Sequence, residues 1–176
     1  MPRSMPLHTS WTRWLVISAV VVVLDLATKA WVSAAFQYGE SRAILPFFNL
    51  VLVHNAGAAF SFLAGAGGWQ RWFFTVVTVV ISVVIVVMLR RDHENRLLAS
   101  ALALVLGGAI GNLHDRVRFG YVVDFVQLHA GGYSFPAFNV ADSAITVGVA
   151  LLIWDSLRSN RHAPAVRAAA ARKEKT

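Results

Sequence analysis

The sequence predicts a membrane all-α protein: four transmembrane helices, both termini cytoplasmic, and a small β-structured extracytoplasmic cradle between spans 1 and 2. Three observations predict it. Of the 176 residues, 57% are hydrophobic and only 14% charged, and a mean hydropathy of +0.59 is not that of a soluble globular domain. Four apolar stretches can each form a membrane helix. The basic residues are uneven: 11 of the 16 Lys and Arg lie in the lead (Arg3, Arg13), in the Arg90 to Arg96 turn and after Leu157, which the positive-inside rule makes cytoplasmic. The longer connections, residues 37–71 and 112–140, then face outward. The chain has no cysteine, which excludes a disulfide framework, a thiolate metal site and a Cys nucleophile.

In chain order, Trp11 and Trp14 stand where an interfacial aromatic belt belongs. The first span covers about 14–36, enough to cross a core of roughly 30 Å at about 1.5 Å per residue. It reads as a retained span rather than a cleaved leader, because it contains Asp25 and Lys29 and no small-residue cleavage site follows. The first outward connection holds a β-prone run, Phe47 to Val53, after Pro46, whose edge could receive an extended peptide or could simply pack as a hairpin. The second span, about 72–89, has no charged residue and is bracketed by Arg71 and Arg90-Arg91; in lipid its Val and Ile are helical whatever their soluble preference. The third and fourth, about 97–111 and 141–157, are shorter. Residues 1–158 thus form one polytopic membrane domain, and 159–176 a basic tail expected to be mobile and drawn to anionic headgroups.

The polar residues are concentrated. Between Gly107 and Asp142 lie Asn112, Asp115, Arg116, Asp124, Asn139 and Asp142, expensive groups near lipid. Two readings stay open from the residues alone: Asp124 and Asp142 are a catalytic carboxylate pair, or they cap helix ends and anchor a loop. Gly107 and Gly111 have the spacing that lets helix backbones approach, which would bring the end of span three against the start of span four. Asp25 and Lys29 share one face of span one, as a neutralising ion pair or as support for the polar cluster. The six histidines lack ligand spacing, so no metal or cofactor is expected, and nothing points to nucleic acid.

Five stretches together resemble a known family. Asp25-x-x-x-Lys29, Asn55-Ala-Gly-Ala-Ala-Phe-Ser61, Gly107-Gly-Ala-Ile-Gly-Asn-Leu-His-Asp-Arg116, Val122-Val-Asp-Phe125 and Phe135-Pro-Ala-Phe-Asn-Val-Ala-Asp-Ser143 are similar, in order and in register, to the motifs of the lipoprotein (type II) signal peptidases of bacteria. The resemblance spans about residues 14–158; His114 falls at a position taken to be variable. It implies an intramembrane aspartic endopeptidase of the cytoplasmic (inner) membrane that removes the signal peptide of a diacylglyceryl-modified prolipoprotein just before its lipidated cysteine. It implies Asp124 and Asp142 as the catalytic pair, Asn55, Asn112, Arg116 and Asn139 near the substrate, and Asp25, Lys29 and Asp115 in support. Membrane lipid would be a partner and the peptide antibiotic globomycin an inhibitor.

The residue types suit that chemistry. Amide hydrolysis without metal, thiol or triad needs one carboxylate to deprotonate water and one protonated carboxyl to polarise the carbonyl, and two carboxyls close together in low dielectric share a proton. A different class, a small proton- or ion-coupled transporter using Asp25, Asp124 and Asp142, is the alternative; no internal repeat supports it, and the carboxylates gather at the outer end rather than at the bilayer midplane.

Overall fold

The computed structural model describes residues 10–57 and 67–173, with side chains to Arg158. Arg3, His8, the Ala58 to Ser61 part of the second motif and the tail's side chains lie outside the described residues. A 3-10 turn, Trp11–Trp14, leads into α1 (Leu15–Ala35); α2 (Trp69–Asp92), α3 (Arg96–Phe119) and α4 (Val140–Lys173) follow. All four helices contain a stretch long and apolar enough to cross a membrane. The α2–α3 turn is tied to the first helix, because the Trp14 indole donates to the His93 carbonyl at 3.0 Å.

Helix α3 is the hub, packed against α1, α2 and α4. Its buried face is made of small residues, among them Ala99, Ala103, Gly107, Gly108 and Gly111, because three neighbours must approach it closely. A Cβ at Gly107 would lie 2.7 Å from Val21 Cβ, and one at Gly111 2.5 Å from Asp25 Oδ2. The Gly-x-x-x-Gly seam therefore faces α1 rather than α4 alone; it is Gly108 that meets α4, at Ala141 and Ile145. Valine-rich α2 leaves Val76, Val80, Val83 and Val84 exposed, as a lipid-facing helix does.

Two features differ from the sequence reading. Helix α3 continues past Gly111 to Phe119 and stops at Gly120, whose left-handed φ of 87° and N–H to Arg116 O close the last turn. Asn112, Asp115 and Arg116 are thus helical neighbours on one protein-facing side, where polar groups need not end a span. The β cradle also draws on both long connections: β1 (Ser41–Leu45), β2 (Phe48–Asn55), β3 (Val122–Ala130) and β4 (Tyr133–Ser134) form one antiparallel sheet in that order. The Phe47 to Val53 run is consequently no open edge. It lies between β1 and β3, because β3 is itself a β-branched run that pairs with it. Leu52, Val123 and Phe125 pack on Val32 and Phe36 at the end of α1, seating the sheet on the bundle.

Orientation can be checked directly, since any introduced cysteine would be the only one. A cysteine at exposed Tyr133 is expected to react with an impermeant thiol reagent outside intact cells and one at Glu94 to stay unlabelled; the reverse pattern would invert the topology.

Candidate active site

The polar residues singled out in the sequence converge where α1, α3, α4 and β3 meet. Strand β3 carries Asp124 opposite Val53 of β2, and its side chain is 3% exposed. Asp142 sits in the first turn of α4. Asn139 precedes that helix and makes a reciprocal cap with it: its Oδ1 accepts the Asp142 N–H at 2.9 Å, and Asp142 Oδ2 accepts the Asn139 N–H at 3.2 Å. The capping role read from the sequence is therefore real for Asp142, whereas Asp124 lies in a strand and caps no helix. Asn139, fully buried, also turns its amide nitrogen to Asp124 Oδ1 at 2.7 Å. One asparagine touches both carboxyls.

Two more asparagines complete the arrangement. Asn55, at the end of β2, donates to Asp124 Oδ2 at 3.1 Å, and Asn112 on α3 donates to Asp142 Oδ1 at 2.7 Å. Asp124, Asp142, Asn55, Asn112 and Arg116 all line one cavity of about 760 Å³, whose remaining wall is largely apolar, with Leu128, Phe135, Phe138 and Ile145. Burial, then the neighbouring Asp142, pushes the Asp124 carboxyl up to about 7, against the lowering effect of its two asparagine donors. Arg116 is half-buried in the cavity wall; its guanidinium donates to Gly57 O at 3.2 Å and lies over the Phe74 ring.

Asp25, Lys29 and Asp115 stand behind the cavity, outside its lining. Lys29 pairs with Asp25 at 2.7 Å, as the i,i+4 spacing suggests, and equally with Asp115 of α3 at 2.9 Å. The second pairing could not be read from the sequence, since it needs the α1–α3 contact. The sequence also missed the apolar lining contributed by Leu128 and Ile145; the quoted Phe135 to Phe138 stretch was its only signal. A carboxyl pair with one member titrating near neutrality, in a half-open and mostly apolar cavity, can exchange protons with a bound water and a polar substrate group.

Comparison with known proteins bears on the family and the fold. The family model for signal peptidase (SPase) II matches residues 17–158. The lipoprotein signal peptidase of Paraburkholderia phymatum is 52% identical over 160 residues, covering 91% of this chain and 96% of that one; that of Janthinobacterium sp. (strain Marseille) is 53% identical over 150 residues, covering 85% and 91%. A solved bacterial membrane enzyme, determined by the in meso method at 2.3 Å, superposes with a TM-score of 0.77 at 35% identity, covering 84% of this chain and 89% of that one.

Proposed function

The chain belongs to the signal peptidase II family, and from that premise we propose that it is an intramembrane aspartic endopeptidase. It cuts diacylglyceryl-modified prolipoproteins on the N-terminal side of the lipidated cysteine, in the bacterial cytoplasmic membrane, with the site toward the outer face. The observation that carries the aspartic reading is the Asn139 bridge: one buried residue whose side-chain amide donates to Asp124 Oδ1, whose backbone N–H donates to Asp142 Oδ2 and whose Oδ1 accepts the Asp142 backbone N–H.

In this reading Asp124 enters as the acid, because burial and Asp142 keep its proton on up to about pH 7. Asp142 acts as the base. It takes a proton from a water lying between the carboxyls while Asp124 gives its proton to the scissile carbonyl oxygen, forming a neutral tetrahedral diol. Collapse returns one diol proton to Asp124 as the carbonyl re-forms. The proton on Asp142 passes to the leaving nitrogen, so the pair ends as it began. Arg116 and Asn55 hold substrate carbonyls, and the apolar wall takes the acyl chains and the small side chains before the cut. Globomycin is expected to compete for the same cavity.

A transporter relay through Asp25 gains no support: Asp25 is 0% exposed, is paired with Lys29 and is absent from the cavity wall. The test is purified protein with one prolipoprotein in two forms, with and without diacylglycerol. Cleavage of the lipidated form directly before its cysteine is expected, with little of the other cut. Equal cleavage of both forms would remove lipid recognition from the function, and cleavage of neither would remove the function.

A further inference from the structure

Lys29 has more partners than a neutralising role requires. Its ammonium, on a residue 3% exposed, reaches Asp25 Oδ2 at 2.7 Å, Asp115 Oδ2 at 2.9 Å and Asn112 Oδ1 at 3.0 Å. Neutralising Asp25 would take only the first of these. The next shell is more telling. Asp25 Oδ1 accepts the backbone N–H of Ala141 at 2.9 Å, and Asp115 Oδ2 accepts that of Val123 at 3.2 Å. Ala141 and Val123 are the residues immediately before Asp142 and Asp124. The third partner works on a side chain: with its oxygen held by Lys29, Asn112 must present its nitrogen to Asp142 Oδ1, at 2.7 Å.

We propose that Lys29 is a positioning residue that sets the separation and orientation of Asp124 and Asp142, by joining the start of β3 and the N-terminus of α4 to one ammonium on α1. This rests on the reading of those aspartates as the catalytic pair. The chemistry fits the task. An ammonium carries three donors, and here three oxygens from two helices stand within 3.0 Å of it, in a low-dielectric site where attraction between opposite charges is strong. Asp25 also satisfies one of the N–H groups that every helix start leaves without an intrahelical partner, so the link to α4 is made at a point already fixed in the backbone. Displacing catalytic groups by about 1 Å costs on the order of 100-fold in rate.

Lys29→Met alone would leave buried carboxylates unpaired and could unfold the chain. The informative variant is Lys29→Met combined with Asp25→Asn. It keeps the formal charge of the Asp25, Lys29 and Asp115 trio unchanged, and the asparagine introduced on α1 can still accept the Ala141 N–H; the joining ammonium is lost, and Asp115, now without its cation, keeps the Val123 N–H as donor. Neither position lines the cavity. The expected result on lipidated prolipoprotein is a folded, membrane-inserted protein with kcat about 100-fold below wild type and KM little changed. Near-wild-type kcat would show that Lys29 only balances charge and would overturn the proposal. Should the double variant not fold, Lys29→Arg carries the same test, since a wide planar fork keeps the charge but cannot replace a tetrahedral ammonium. Failure of both to fold would also overturn it. Wild type and Asp124→Asn run alongside separate the two readings: an inactive wild type, or an active Asp124→Asn, sinks the dyad itself, whereas an intact dyad with an active double variant sinks only the role of Lys29.

Discussion

Replacing Asp124 or Asp142 by Asn is expected to lower turnover on lipidated prolipoprotein by about 10⁴-fold or more, with membrane insertion retained. An amide is nearly isosteric with the carboxyl but can neither take a proton from water nor return one to the leaving nitrogen. The double variant should be no worse than the worse single, because groups that act as one unit are not additive. The two singles should differ in stability. An unfolded Asp124 ionises near 3.8 and the folded one near about 7, so its contribution to stability is whole below the first value and is lost as the pH rises to the second. An amide in its place does not ionise and carries no such penalty. Asp124→Asn should therefore melt above wild type at pH 8 and near it at pH 4. Each variant also surrenders an acceptor, for Asn55 or Asn139 at position 124 and for Asn112 or the Asn139 N–H at position 142, and Asp124→Asn sets that loss against the ionisation penalty it removes. Near-normal turnover by either variant would refute the pair as the catalytic centre.

The second large effect is expected at Asn139, a residue that need not touch substrate. Its Oδ1 caps α4, and its Nδ2 lies 2.7 Å from Asp124 Oδ1, 3.2 Å from Asn112 Oδ1 and 3.2 Å from Val123 O. Asn139→Ala loses the cap, about 1 kcal/mol, and leaves buried acceptors without their donor, about 1–3 kcal/mol each. The dyad also loses its cross-link, so kcat should fall about 100-fold or more. Asn139→Asp separates the two roles. It keeps an oxygen for the Asp142 N–H but removes the donor and sets a third carboxylate beside Asp124, so it should inactivate at least as fully as Ala while costing the helix less. If Asn139→Asp proved active and Asn139→Ala did not, capping alone would account for the residue.

Much of this was legible in the sequence, for physical reasons that also mark its limits. Lipid forces a long apolar segment into helix, so the four helices could be read from composition and their ends approximately from Arg71 and Arg90-Arg91. Asp25 and Lys29 could be paired because both lie on one helix face. The extension of α3 to Phe119 was hidden, since Asn112, Asp115 and Arg116 look like the end of a span unless the neighbouring protein that shelters them is known. The pairing of β2 with β3 was hidden as well, because even the partners nearest in sequence, Asn55 and Val122, are separated by a helical hairpin. The meeting of Asp124 and Asp142 followed only from the resemblance. Asn139 and Asp142 stand three apart, the spacing of a helix cap, and nothing in that spacing shows that the cap also reaches Asp124.

The central claim is that Asp124 and Asp142 work as one proton-sharing pair with Asp124 as the acid, and the pH dependence of kcat/KM on lipidated prolipoprotein tests it most directly. Because the free enzyme must hold the proton on Asp124, whose carboxyl stands at about 7, kcat/KM should fall above that pH, tenfold for each further unit. A profile that stays flat or keeps rising to pH 9, in protein shown to remain folded there, would contradict it.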